Sequence, residues 1–158
     1  MPEVTLDAVL DQIRAVLLEA FEGPPEKSSY FTDNDPSAGY SGTLAKTNAA
    51  DASRPIGGST IAAHVHHMIF AIEASSAWIR GDHSSRNWRD SWRTRTANEK
   101  EWAESCAKLQ AGYVDLRKAI ESHGRTNEDS IGGAIGALAH AAYHLGAIRQ
   151  KIICAREG

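Results

Sequence analysis

The stretch from about Asp129 or Ser130 to Arg156 reads as one long helix that is apolar on almost every side until Arg149. Ile131, Ile135, Leu138, Ala142 and Leu145 recur at three–four spacing and predict one buried stripe. His140 and His144 lie on nearly the opposite side, among Gly133, Ala137, Ala141 and Ile148. A helix of this kind needs protein on two sides. One side faces the interior of a helical domain; the other is covered by a crossover segment or by a second copy of the chain. The two histidines, four apart, stack one turn from each other on one face, where both imidazoles can reach a single ion.

Three further amphipathic helices are legible. Leu6, Val9, Leu10, Ile13, Val16, Leu17, Ala20 and Phe21 form a stripe from about Thr5 to Glu22, which Asp7, Asp11, Arg14 and Glu19 avoid; Gly23-Pro24-Pro25 ends the helix. A second helix starts at Ser59 or Thr60, both good caps, and stops at Gly81, with Ile61, Val65, Met68, Ile72 and Ile79 as its main stripe. His64 and His67 sit on the flank of that stripe, while His66 points the other way. A third helix is predicted over about Thr94 to Ser122, with the seam Trp102, Cys106, Leu109, Tyr113, Leu116 and Ile120. Residues 24 to 58 are too long for an ordinary connection and read as a crossover over one end of the helices, with a short helix at about Thr43 to Ala52. Nothing reads as strand, so the expected class is all-α in one domain, residues 1–158.

The balance of 17 basic and 20 acidic residues, net −3, gives no reason to expect nucleic acid or an anionic membrane as partner. Charged residues and histidines interrupt the apolar runs, so no membrane span is expected. Met1-Pro-Glu-Val-Thr leads into an amphipathic segment, so no signal sequence is expected either. Cys106 and Cys154 form no CxxC motif; they read as buried free thiols, and the expected compartment is reducing, hence cytoplasmic.

Zinc sites that catalyse keep three protein ligands and one open position. His140 and His144 with one histidine of the earlier cluster, His64 or His67, would supply three. The alternative is a set of buried histidines bonded to backbone or to Tyr143. A metalloprotease helix is excluded, because His140-Ala-Ala-Tyr-His144 has alanine where that motif carries its glutamate base. His66, His83 and His123 read as surface residues. Trp88 and Trp92 either anchor a loop or roof a pocket. Arg86, Arg89, Arg93 and Arg95 beside them are either a solvated loop interleaved with Asp82, Asp90 and Glu99, or a site for an acidic substrate.

The segments Gly57-Gly-Ser-Thr-Ile-Ala-Ala-His-Val-His-His-Met-Ile-Phe-Ala-Ile-Glu-Ala-Ser-Ser-Ala-Trp-Ile-Arg-Gly-Asp82 and His140-Ala-Ala-Tyr-His-Leu-Gly-Ala-Ile-Arg-Gln150, with Asn87-Trp-Arg-Asp-Ser-Trp92 between them, resemble the DinB/YfiT-like superfamily. The resemblance implies a four-helix bundle with a long crossover between helices one and two. It also implies one divalent metal ion, zinc or nickel, held by His67, His140 and His144; His64 is the fallback for the first position. It implies no DNA binding. Some members use a low-molecular-weight thiol that the metal activates, which makes the expected function a metal-dependent transfer to, or hydrolysis of, a small electrophile. A non-catalytic metal- or ligand-binding stress-response bundle is the alternative. The partners expected are a small-molecule substrate, with a thiol among the candidates, and a second copy in a homodimer. Arg149, one turn past the histidines, is read either as an anchor for an anionic group or as a helix C-terminal charge.

Overall fold

A computed structural model of the chain describes residues 3–25 and 28–157; the first two residues, residues 26–27 of the crossover and the last residue of the 1–158 chain lie outside it. The described residues are all-helical. They form six α-helices and one 3-10 turn, with a lone bridge between Ile56 and Ser59 as the only β pairing.

Local chemistry sets each boundary. Helix α1, Leu6–Glu22, starts where the Thr5 hydroxyl accepts the Ala8 N–H at 3.2 Å. It ends at Gly23, whose φ of 95° and position allow no side chain: a Cβ there would lie 2.1 Å from the Pro36 carbonyl oxygen. The short helix expected at Thr43 to Ala52 is two helices, α2 (Tyr40–Ala45) and α3 (Ala49–Ser53). Asn48 divides them, since its side chain accepts the Asp51 N–H at 2.8 Å and so caps a new helix from an extended conformation. Helix α4, Ile61–Ile79, is capped by Thr60, which accepts the Ala63 N–H at 3.0 Å. The Trp88–Trp92 segment is a 3-10 turn. Helix α5, Glu99–His123, starts later than the predicted Thr94. Asn98 and Glu101 form a reciprocal capping box at 3.0 and 2.9 Å that fixes its first turn. Helix α6 runs Glu128–Glu157.

Helix α4 is the centre of the molecule. It packs chiefly on α5 and α6 and also meets α3 and the Trp88–Trp92 turn, and most of its side chains are buried. Helix α1 packs on α6, α2 and α5. Its Phe21 ring stacks on Tyr113 at 4.4 Å and on Tyr40 at 4.9 Å. The Tyr40 hydroxyl donates to the Ala141 carbonyl at 2.9 Å, and Trp102 Nε1 donates to the Thr47 carbonyl at 2.7 Å, so α2 and the residues after it are tied to both α5 and α6. At the start of α1 the predicted stripe overreaches: Leu6 and Val9 are exposed.

The buried side of α6 is not the aliphatic stripe. Ala134, Ala137, Ala141, His144, Leu145 and Ile148 are buried, while Ile135 is half exposed and Ile131, Leu138 and Ala142 are partly covered. The physical reason is closeness. Gly133 and the alanines let α4 approach; a Cβ at Gly133 would lie 2.9 Å from Ile79 Cγ1 and 3.0 Å from Trp78 Cδ1. The histidine side therefore turns inward and the larger residues turn out. The same helix is long and apolar enough to cross a membrane by length and composition, with a mean hydropathy of 1.3 over its best window, against the expectation from the interrupted runs. The thiols also differ from expectation: Cys106 is half-buried, and Cys154 is exposed near the end of α6.

Glu19, assigned to the polar side of α1, is fully buried and organises the crossover. Its carboxylate accepts the backbone N–H groups of Tyr30 (2.6 Å), Phe31 (3.0 Å) and Thr32 (2.9 Å) and the hydroxyls of Ser29 and Thr32, both at 2.7 Å. Burial alone would raise its pKa; these donors outweigh burial and lower it to about 2. Farther along, Arg149 pairs with Asp33, Lys151 donates to the Ile56 carbonyl, and Arg54 Nη1 donates to the Ala155 carbonyl at 3.3 Å. Asp33, Arg54 and Ile56 thus lie along the C-terminal half of α6.

Candidate metal centre

Helix α4 offers His64 and His67 one turn apart, and α6 offers His140 and His144 one turn apart. The close α4–α6 approach brings all four imidazoles together. Of these, His67, His140 and His144 each present a ring nitrogen within 4.8 Å of the others, a group that can hold a metal ion. The group contains no carboxylate. His64, His67 and His144 are buried and His140 is half-buried.

The hydrogen bonds of Ser91 decide which nitrogen His67 offers. Ser91 Oγ donates its only proton to the Trp88 carbonyl at 2.6 Å, so at 2.7 Å it accepts from His67 Nδ1. His67 Nδ1 therefore carries the proton and Nε2 carries the free lone pair. His67 Nε2 faces His140 Nε2 at 2.9 Å. His144 Nδ1 lies 2.8 Å from His64 Nδ1, and His64 Nε2 lies 3.0 Å from Ser59 Oγ. If His144 donates from Nδ1 to His64, and His64 donates from Nε2 to Ser59, His144 also offers Nε2. Partners of this kind behind ligating imidazoles hold ring and tautomer.

Two nitrogens bound at ~2.0–2.1 Å to a tetrahedral ion lie roughly 3.3 Å apart. The His67–His140 pair at 2.9 Å needs a shift of only a few tenths of an ångström to reach that spacing, and His144 lies within 4.8 Å of both. The rings are also neutral, as ligands must be. Burial lowers the pKa of His144 to about 3, with His140, His67 and His64 adding to it. Burial likewise lowers His67 to about 4, with its neighbouring histidines adding, and His64 to about 4, with Lys151 adding; it lowers His140 too.

Tryptophans close one side. The Trp92 ring stacks on His67 at 4.2 Å and meets His64 edge-on at 5.2 Å, and Trp88 lies 6.0 Å from His67 and 6.2 Å from His140.

No protein-family model, curated protein or solved structure matches this chain.

The expected residues separate clearly. His67, His140 and His144 converge, and His64 stands behind His144. His66 Nδ1 lies 2.8 Å from the Ser91 carbonyl, and His83 stacks on Trp78 at 3.9 Å; neither joins the group. Arg149 is paired with Asp33 on the crossover, which gives it a structural role that the sequence did not suggest. Three of the four loop arginines are engaged: Arg86 with Asp82 at 3.5 Å, Arg93 with Asp90 at 2.7 Å, and Arg95 with the Gly58 carbonyl. That argues for the solvated-loop reading. Ser91 and Ser59 were missed, since a serine bonded to a histidine leaves no trace in spacing.

Ser91→Ala removes the group that orients His67. Metal affinity is expected to fall roughly 10–100-fold, the usual effect of losing such a partner, with the fold retained. Competition titration with a zinc indicator reads this. Unchanged affinity would show that Trp92 and packing alone hold the ring.

Proposed function

We propose that this chain is a divalent-metal-dependent enzyme of the DinB/YfiT-like type, a four-helix bundle in which His67, His140 and His144 hold one zinc or nickel ion. The observation that carries the proposal is the meeting of three neutral imidazoles from two core helices, without a carboxylate, within 4.8 Å of one another. A divalent ion bound there supplies Lewis acidity that lowers the pKa of a thiol or a water molecule. The histidines provide three donors and leave a fourth position to be taken from the half-buried His140 side. Ser91 holds His67 in the tautomer that offers Nε2, and His64, 2.8 Å from His144 Nδ1, stands where it can do the same for His144. Trp92 keeps water from one face of His67. The reaction class this supports is transfer to, or hydrolysis of, a small electrophile. Elemental analysis of untreated protein tests the metal: one divalent ion per chain supports the reading, and a chain that takes up no zinc or nickel contradicts it.

The same reading includes a homodimer. Ile135 and Ile153 on α6 are exposed apolar side chains, and Tyr143, whose ring meets His144 edge-on at 5.0 Å, is exposed as well. A two-fold pairing through α6 would bury them. Light scattering at micromolar concentration is expected to give twice the 17.1 kDa chain mass; a monomer mass would refute the pairing.

A further inference from the structure

A cavity of about 630 Å³ opens beside the histidines, and His140 is one of its lining residues. Its size suits a small organic molecule, for which pockets of ~300–1,000 Å³ are usual. Two features give it a shape. Gly132, Gly136 and His140 follow one another at intervals of one turn along α6, and a Cβ added at Gly132 or Gly136 would meet nothing within 4 Å. The floor is therefore bare helix backbone leading toward His140. Trp78 and Trp88 line the same cavity, one braced by His83 at 3.9 Å and the other by Phe70 at 5.1 Å. Flat walls and a floor without side chains fit a planar ring better than a branched chain.

The rim sets the charge. Asp82, Glu128, Asp129 and Arg86 line it. Arg86 is matched by Asp82 at 3.5 Å, and among the described residues no ion pair involves Glu128 or Asp129. The start of α6 offsets those two carboxylates only in part, since a helix terminus carries roughly half a positive charge. The mouth is net negative and disfavours carboxylates.

We infer that this cavity is the substrate pocket of the metal centre and takes a flat aromatic molecule that is neutral or cationic, its reacting group at the His140 end. The inference rests on the metal reading for its chemistry, but the pocket stands without the ion, which allows the two to fail separately.

The test uses β-naphthol and β-naphthoate as probes, by calorimetric titration of the chain as purified and after chelation, with zinc uptake measured in parallel. β-Naphthol is expected to bind the chelated chain one to one, roughly tenfold or more tighter than β-naphthoate. Gly136→Leu and Gly132→Leu fill the floor at positions where a side chain has room and helix propensity improves. Each is expected to weaken β-naphthol roughly tenfold or more while zinc uptake and helix content stay as in the wild type. The pocket inference is overturned by no binding of β-naphthol, by equal affinity for β-naphthoate, or by indifference to both leucine variants. Binding of β-naphthol by a chain that takes up no zinc would sink the metal reading and leave the pocket; zinc uptake without β-naphthol binding would do the reverse.

Discussion

His144→Ala is expected to remove tight metal binding and leave a folded helical chain. Structural zinc sites with four ligands bind with ~10–16 kcal/mol, so one ligand of such a set is worth on the order of 3 kcal/mol, or a factor above ~100 in affinity. The fold is expected to survive because the buried side of α6 is completed by Ala134, Ala137, Ala141, Leu145 and Ile148. The truncation leaves a cavity at a residue only 4% exposed and strips His64 of a partner, a cost of about 1–3 kcal/mol. In a chain of this size that lowers Tm by roughly 3–10 °C. Zinc titration and circular dichroism on the same sample check both halves. His123→Ala, at a histidine outside the group, is the control and keeps its metal. Equal zinc affinity in His144→Ala and wild type would contradict the account.

Glu19→Gln, a near-isosteric change on α1 at the anchor of residues 29–32, is expected to destabilise the chain by about 2–3 kcal/mol at neutral pH. The carboxylate is fully buried and accepts five hydrogen bonds; an amide accepts at one atom only and turns its NH2 toward donors. The sign with pH follows from the lowered pKa. Glu19 titrates near 2 in the folded chain against an ordinary 4.5, so its contribution is complete above about pH 4.5 and is lost as pH falls through 2. Total stability of the metal-free chain behaves otherwise. His64, His67 and His144 have folded pKa values lowered from 6.5 to about 4, 4 and 3, so the unfolded chain binds more protons and stability declines once pH drops below about 6.5. Urea unfolding of wild type and Glu19→Gln should give a difference that is constant from pH 7 to 5 and shrinks only below about 4.5. A difference that shrank between pH 7 and 5 would assign the effect to something other than this carboxylate.

The sequence carried the helices through period and capping residues: Thr60 caps where expected, α1 begins beside Thr5 as expected, and the stripe from Ile61 to Ile79 is buried as read. The site was legible because two histidines at i,i+4 on a face of small residues have few structural uses. It was less legible which side of α6 turns in. Ile131 and Ile135 look more like core than Ala134 and Ala137 do, yet helix separation decided the matter, and separation is a property of two helices that neither one's periodicity contains. Glu19 was unreadable for a related reason. A carboxylate on the edge of an apolar stripe is normally solvated, and only the folded crossover supplies the five donors that bury it. Ser91 was hidden in the same way, its histidine partner lying on a helix that the sequence does not place beside it.

The central claim is that a divalent ion sits on three imidazoles from α4 and α6. X-ray absorption at the metal edge of the zinc-loaded chain tests it most directly. The account predicts one zinc per chain with a first shell of nitrogen or oxygen at ~2.0–2.1 Å, the outer-shell scattering of three imidazole rings, and no sulfur from the protein. A sulfur shell near ~2.3 Å, which would place Cys106 or Cys154 on the metal, or scattering from fewer than three imidazoles, would contradict it.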